Sequence, residues 1–527
     1  MANKNILLIE PGYKNKYPPL GLMKIASYHG PYGKKDNVKF IKGEEDRSVF
    51  NINWDRIYVT TLFSFEWKEI SRTIDFALAI AYGNTSKVFV GGIAASLMHE
   101  EFLAESRWRG IRFIKGLLGE PPATSLQLDD FEEELYADDI YGTPIEDLIP
   151  DYSILDQIKS QYIYPVHDAY FAYASRGCVR KCHFCGVPKL EGAQRDSQSI
   201  TGIVNAIDER HGPRRDLTLM DNNVVASENY KNIIAEIRDL GFTPGAKLSR
   251  PGKPAVRRRV DFNQGVDARI LCKDNMYLKE MSTIAIKPLR IAFDHIGVRK
   301  PYETSIRMAH DVGLHELSNY MLYNFHDTPT DLYQRMRLNI DLNVELGIRI
   351  FSFPMRYQPT DMKDRSHIGK NWNRYYLRSM QIILQATHGI VSGSPRFFKS
   401  AFGDSEQEYE ELLLRPHHFL FNRDWYDHFD GNSELTDFKN QFKKLSPEER
   451  QELASLLSSS SPIHFAGLIG QASSSKVNSI LGFYVPLGKD VERGIWDSMK
   501  HKKSPHKEKL DIPEDERVED AGLSEII

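Results

Sequence analysis

Short apolar runs alternate with longer amphipathic segments near the start of the chain. The runs at 5–9, 57–62 and 87–90 predict buried strands, and the spacing of apolar residues in 68–82 predicts a helix between two of them. Strands that alternate with helices are typical of a parallel sheet covered by helices. We therefore expect residues 1–110 to form a doubly wound, Rossmann-like domain.

The same alternation resumes near residue 169. Six apolar runs predict strands, at 170–174, 216–223, 260–269, 289–294, 317–324 and 348–353. Each run closes on polar residues, and parallel barrels place their chemistry at that end of the strands. Residues 169–360 are thus predicted to be a second α/β domain, with its functional groups at the carboxyl ends of the strands.

The remaining regions have other patterns. Residues 111–168 predict a connecting segment, acidic at 129–134, and residues 361–527 predict a mostly helical C-terminal region. The 527 residues carry a net charge of −4, which gives no overall attraction to nucleic acid or to an anionic membrane. Because no apolar run approaches the ~20 residues that span a bilayer, and because the apolar run at 6–9 is too short for a signal peptide, we expect a cytoplasmic protein.

Three of the four cysteines lie within ten residues, Gly177 to Gly186. Cys178, Cys182 and Cys185 have the spacing C-x3-C-x2-C, and thiols clustered this tightly in a cysteine-poor chain indicate a metal site. An iron–sulfur cube normally takes one thiolate per iron. Three thiolates therefore leave one iron open to a small molecule.

A structural zinc ion is the alternative, and it requires four N or S ligands. His183 is adjacent to Cys182 and poorly placed to join it on one ion, and Cys272 lies 87 residues beyond Cys185. We expect Cys272 to be a small buried apolar side chain. A non-catalytic, metal-stabilised module that binds protein or nucleic acid is the corresponding alternative function.

The three cysteines, with Phe184 just before the last of them, resemble the signature of the radical SAM superfamily. That resemblance implies a partial, six-stranded (β/α)6 TIM-type barrel and a [4Fe–4S] cluster on Cys178, Cys182 and Cys185. It also implies that the open iron binds S-adenosylmethionine, and that an electron from a donor such as flavodoxin or ferredoxin cleaves its C–S bond. The resulting 5'-deoxyadenosyl radical would abstract hydrogen from a substrate that the sequence does not identify.

The first domain resembles the cobalamin-binding domain that precedes many radical SAM enzymes. The matching segments are 18–22, 61–65 and 90–95, in which Gly91 and Gly92 are candidate cofactor contacts. The loop Asp-x-His-x-x-Gly, which offers a histidine to cobalt, is missing from the sequence. The resemblance implies cobalamin-dependent methyl transfer or rearrangement, or else a vestigial domain that only packs against the barrel, in which the glycines make tight turns.

Polar residues at the ends of the predicted barrel strands are the other candidate ligands. By resemblance, Asp221 and Asn223 would contact the amino group of S-adenosylmethionine, although Asp221-Asn222-Asn223 also suits a simple turn. On a strand that runs to residue 269, Asn263, Asp267 and Arg269 share one face. They would meet S-adenosylmethionine, or Asp267 and Arg269 would form an internal ion pair. Asp294 ends the fourth strand, where it would face cofactor or substrate.

A strongly basic segment lies between the second and third predicted barrel strands. Residues 247–259 contain six Lys or Arg in 13 positions. We interpret them as a solvated surface loop, with phosphate of a nucleotide or nucleic acid as the weaker alternative.

Overall fold

The computed structural model describes residues 3–119, 144–500 and 502. The chain forms two compact units. The first contains residues up to 292 together with 304–314 and 358–367, and the second contains 293–303, 315–357 and the chain from 368 onward. The acidic run at 129–134 and the charged tail after 502 lie outside the described residues, and the predicted domain boundaries stay predictions.

The N-terminal part of the first unit is a five-stranded parallel sheet. Its strands are β1 (Asn5–Glu10), β2 (Asn37–Lys42), β3 (Arg56–Thr61), β4 (Val88–Gly92) and β5 (Arg112–Phe113), in the order β2-β1-β3-β4-β5. The α-helices of this part are Leu20–His29, Trp67–Ile80, Ile93–Leu97 and His99–Leu103. Short 3-10 turns lie at Arg47–Asn51, Ser64–Glu66, Thr85–Lys87 and Ser106–Trp108. The order is the flavodoxin-like one, which places ligands at the carboxyl ends of the strands.

The rest of the first unit contains parallel strands of the predicted barrel and two hairpins. Its strands are β6 (Ala169–Ala172), β7 (Ser175–Arg176), β8 (Arg195–Asp196), β9 (Asp216–Leu219), β10 (Lys247–Arg250), β11 (Lys253–Arg257), β12 (Val260–Phe262) and β13 (Leu289–Arg290). β6, β9 and β12 form one parallel sheet, and parallel bridges link Val260 to Ile286 and Val266 to Ile291. β7 pairs with β8, and β10 with β11, as antiparallel hairpins.

Helices cover these strands in the expected alternation. The α-helices of this part are Ser153–Asp156, Val187–Leu190, Ile200–His211, Tyr230–Asp239, Ala268–Leu271 and Met276–Met281, with 3-10 turns at Ile145–Asp147 and Val224–Ala226. Amphipathic spacing drives the packing of the longer ones. In Tyr230–Asp239, for example, Ile233, Ile234 and Ile237 are buried on one face.

The second unit contains two parallel strands, β14 (Glu316–Tyr323) and β15 (Arg349–Arg356). The helix Pro329–Leu346 connects them; it begins with a capping box of Thr328 and Asp331 and ends at Gly347 in the left-handed region. The helix Arg299–Asp311 begins in this unit and ends in the first.

The C-terminal region of the second unit is helical, as predicted, and has its own apolar core around Phe419, Phe438 and Leu453. Its α-helices are Arg374–Ala386, Pro395–Phe402, Glu406–Leu414, His417–Phe421, Arg423–His428, Asn432–Phe442, Pro447–Ser459, Ser475–Ile480 and Lys489–Met499. The unit's 3-10 turns are Ile296–Val298, Pro462–Leu468 and Leu481–Tyr484. The predicted α/β fold class is confirmed.

Two sequence interpretations are wrong in detail. The strand predicted over 260–269 ends at Phe262, because Gly265 turns the chain with φ +79° and Asp267 caps the helix Ala268–Leu271. Asn263, Asp267 and Arg269 therefore do not share a strand face. Cys272 is partly exposed rather than buried. No helix in the described part of the chain is long and apolar enough to cross a membrane.

Candidate metal and cofactor site

The three clustered cysteines lie on the loop between β7 and β8, in the first unit, and all three are partly exposed. Gly177 begins this cysteine loop with φ +72°, and a Cβ there would lie 2.1 Å from the carbonyl oxygen of Ala193. Only glycine permits this close approach. The backbone N–H of Cys178 donates to the carbonyl of Gly192, so the two ends of the loop meet.

Glu191 fastens the closed loop to the protein. One of its carboxylate oxygens accepts hydrogen bonds from the N–H of Gly177 and the amide of Asn222, both at 2.9 Å, and the other accepts from Arg176 at 3.1 Å. Arg176 also pairs with Glu146 and lies 3.4 Å from the ring centroid of Tyr173. The loop is thus held at its base by a buried network of charges.

Asp221 fixes the chain just before the loop. It is 2% exposed, and its oxygens accept from the N–H groups of Ala174 and Ser175 and from the Ser175 hydroxyl. Burial raises the pKa of Asp221 to about 6, although these hydrogen bonds oppose the shift. Each carboxylate oxygen is already bonded to the backbone, so this arrangement favours positioning; contact with S-adenosylmethionine stays a prediction.

Asp267 joins the cysteine loop to the chain beyond β12. It accepts from the Arg180 guanidinium at 2.6 Å and from the Arg269 guanidinium at 2.8 Å. Burial raises the pKa of Asp267, but the hydrogen bonds from Arg269 and Arg180 outweigh it and hold the pKa below its ordinary value. The internal Asp–Arg pair, one of the two sequence interpretations, is what the structure contains.

Arg269 reaches the cysteine loop as well. The hydrogen bond to Asp267, together with the charge of that carboxylate and the neighbouring Cys182 thiol, raises the pKa of the Arg269 guanidinium. At the other end of the motif, the backbone N–H of Arg180 donates to the Cys178 sulfur at 3.3 Å. The motif therefore has a guanidinium beside Cys182 and a backbone N–H on the sulfur of Cys178.

The two asparagines of the prediction lie in the same region. The Asn223 side-chain oxygen accepts from the N–H of Asp267 at 3.3 Å, and that of Asn263 accepts from the Tyr17 hydroxyl at 2.5 Å. Both asparagines are buried. The structure therefore brings Asp221, Asn223, Asp267 and Arg269 together around the cysteine loop, through contacts within the protein.

Gly91 and Gly92 end β4, and their surroundings differ. Gly92 has φ +102°, and a Cβ there would lie 2.3 Å from the carbonyl oxygen of Thr61, whereas one on Gly91 would make only an ordinary contact with Ile114 at 3.6 Å. The close approach at Gly92 is thus to β3. The helix that follows, Ile93–Leu97, packs with Leu97 against Gly186 of the cysteine loop.

Asp294 belongs to the second unit, where its backbone carbonyl accepts from Arg335 at 3.2 Å. Its predicted contact with cofactor or substrate stays a prediction. Sequence reasoning missed Glu191, Arg180 and Tyr17 as members of the site. Arg180 was available as a signal, because it lies inside the C-x3-C motif, while nothing local distinguishes Glu191 or Tyr17.

The fit of the cysteines to a metal group rests on the chemistry of the donors. Within 3–119 and 144–500, no group of three or more His, Cys, Asp or Glu side chains is placed to hold a metal ion. Three soft thiols on one loop, with a cation and an N–H beside them, suit an iron–sulfur cluster, which thiolates ligate. By the type of its donors, the set therefore fits the cluster, whereas a zinc ion would need a fourth ligand.

No family model and no curated protein matches the chain. Among solved structures, it is similar to the radical S-adenosylmethionine methyltransferase TsrM from Kitasatospora setae, determined with cobalamin and a [4Fe-4S] cluster bound. The identity is 14% and the TM-score 0.43, over 69% of this chain and 74% of that one. At this distance, the assignment of a function depends on the residues of the chain itself.

Proposed function

We propose that the protein is a radical SAM enzyme whose [4Fe-4S] cluster is held by Cys178, Cys182 and Cys185. The observation that carries the proposal is the closed loop itself, which presents three thiols and no other cysteine between two fixed ends. When bound, such a cluster supplies the electron that cleaves S-adenosylmethionine reductively, and hydrogen abstraction from the substrate follows.

The residues around the loop have definite parts in this proposal. Asp221 holds the backbone at Ala174, before the motif, and Glu191, which follows the motif, bonds back to the N–H of Gly177, so that the two ends of the loop stay together. Arg180 and Arg269 share the single charge of Asp267 and leave a net positive charge near Cys182. That charge would offset part of the negative charge that thiolate ligands bring to the cluster.

For the N-terminal domain we propose cobalamin binding at the carboxyl ends of its strands, with methyl transfer or a rearrangement as the reaction. The strand order supports this, because ligands of such sheets bind at that edge. A radical SAM enzyme with a vestigial domain is the second candidate, and the packing of Gly92 on Thr61 favours it. A reducing, cytoplasmic location and a flavodoxin- or ferredoxin-type electron donor belong to the same proposal.

The test is metal analysis of the anaerobically reconstituted protein, with electron paramagnetic resonance of its reduced form. We expect about four iron and four sulfide per chain in the wild type and in Cys272→Ala, which keeps the motif, and loss of the cluster signal in Cys182→Ala. Stoichiometric zinc and no iron in the wild type would instead support the metal-stabilised binding module. The visible spectrum of added cobalamin distinguishes the two enzymatic candidates.

A further inference from the structure

The basic segment 247–259 is a hairpin and not a loop. β10 and β11 pair antiparallel, with Lys247 opposite Arg257 and Arg250 opposite Lys253. Pro251 and Gly252, which has φ +72°, form the tight turn between them. All five residues of β11 are exposed. No acidic residue occurs from Leu240 to Val260, so the basic hairpin carries charge of one sign only.

Two of its arginines fasten the hairpin to the protein. Arg250 makes a bidentate ion pair with Asp168, at 2.8 and 2.6 Å, and also donates to the carbonyl of Pro213. The Arg258 guanidinium lies 3.6 Å from the ring centroid of Phe242 and donates to the carbonyl of Leu240. These contacts hold the hairpin at the turn and at its base.

Three other cations have no such role. In the part of the chain that the structure describes, no carboxylate pairs with Lys247, Lys253 or Arg257, and all three are exposed. Lys247 and Arg257 lie directly opposite each other, and like charges in that position destabilise a strand pair. The nearby carboxylate of Asp216 is already paired with Arg215. A ligand with several negative charges would relieve the repulsion.

We propose that this face of the hairpin binds nucleic acid through the phosphate backbone. A protein partner is disfavoured because protein interfaces have an apolar, aromatic-rich centre, whereas Val256 is the one large apolar residue exposed among the hairpin's described residues. Strand addition to β11 is disfavoured by Pro254, which lacks an N–H. Lysine and arginine without stacking aromatics suit contact with phosphates and no reading of bases.

The proposal is independent of the metal site and is tested by fluorescence anisotropy with two labelled probes, a 20-base-pair RNA duplex and a DNA duplex of the same sequence. Three phosphate contacts predict a log–log salt slope of about −2.7, or about 40-fold weaker binding at 200 mM than at 50 mM salt. In the variant Lys247→Gln/Lys253→Gln/Arg257→Gln, the log–log salt slope should be smaller in magnitude by about 2.7.

Two controls distinguish binding by this face of the hairpin from a general effect of the protein's net charge. The variant Lys68→Gln/Lys231→Gln/Lys443→Gln removes three exposed cations elsewhere and should bind like the wild type. Lys247→Arg/Lys253→Arg/Arg257→Lys keeps the charge and should keep the slope. Binding of only one duplex would support the proposal and identify the nucleic acid. Failure of the wild type to bind either duplex at 50 mM salt, or equal losses in both Gln variants, would overturn it.

Discussion

The pairing of charged side chains differs between the two ends of the parallel strands β6, β9 and β12. At the carboxyl ends, Asp221, Asp267 and Glu191 each accept hydrogen bonds from two or more groups, and the bonds converge on the cysteine loop. Toward the amino ends, the basic hairpin leaves three cations without a carboxylate partner among the described residues. Paired charges fix the geometry of a site, whereas unpaired ones are available to a partner molecule.

The largest effect should come from Glu191, whose loss leaves the Gly177 N–H and the Asn222 amide without this acceptor and leaves Arg176 paired with Glu146 alone. Glu191→Ala should lower the free energy of unfolding by about 3 to 5 kcal/mol, since two donors lose their acceptor, at about 1 to 3 kcal/mol each, and one of the two ion pairs of Arg176 is broken. Urea denaturation measures it. The exposed Glu209→Ala on the helix Ile200–His211 is the matched control and should change stability by less than about 0.5 kcal/mol. Equal changes in the free energy of unfolding for the two substitutions would show that Glu191 does not stabilise the base of the cysteine loop.

Asp221 should give stability a pH dependence. Its folded-state pKa of about 6 lies above the ordinary value of 3.8, so the fold binds the protonated form better. The stability that this group contributes is therefore fully present below about pH 4 and is lost as the pH rises through 6, by roughly 3 kcal/mol. The difference in unfolding free energy between wild type and Asp221→Asn, measured from pH 4 to 7, should change in this sense. A difference that stays constant with pH would contradict the burial argument.

The smallest effect should come from Arg269, which is about a third exposed. Removing its charge beside Cys182 in Arg269→Gln should make the reduction potential of a reconstituted cluster more negative. An interaction of about 0.5 to 1 kcal/mol corresponds to about 20 to 40 mV for one electron. Redox titration followed by electron paramagnetic resonance measures the shift, and Arg269→Lys should retain most of the potential. A potential unchanged in Arg269→Gln would place this charge outside the site.

Local sequence patterns predicted the elements with strong apolar runs and missed those without them. β1, β3 and β4 follow from their apolar runs, but lysines interrupt the run of β2, Asn37–Lys42, and hide it. In 260–269 the alternating pattern of side chains continues past Phe262, where the strand ends, because neither Gly265 at the turn nor Asp267 at the helix cap interrupts it. The strand predicted from that pattern was therefore too long. The capping box at Thr328 marks, in the sequence itself, the start of Pro329–Leu346, the longest of the described helices.

The candidate site likewise contains residues that local sequence patterns identified and residues that they missed. The cysteines were recognisable because all three lie within eight residues, from Cys178 to Cys185. Their supports come from far along the chain: Asp221 accepts from the backbone N–H of Ser175, 46 residues away, and Tyr17 donates to Asn263 across 246 residues. Periodicity and composition report on neighbours in sequence, so they do not tell which polar groups a fold will bring together.

If the cysteine loop supports radical cleavage of S-adenosylmethionine, as we propose, the protein must form 5'-deoxyadenosine. The reconstituted protein would be incubated anaerobically with S-adenosylmethionine and dithionite, and the product measured by mass spectrometry. We expect 5'-deoxyadenosine from the wild type and from Cys272→Ala, and none above background from Cys182→Ala. A cluster-loaded wild type that forms no more 5'-deoxyadenosine than Cys182→Ala would rule out radical cleavage at this loop.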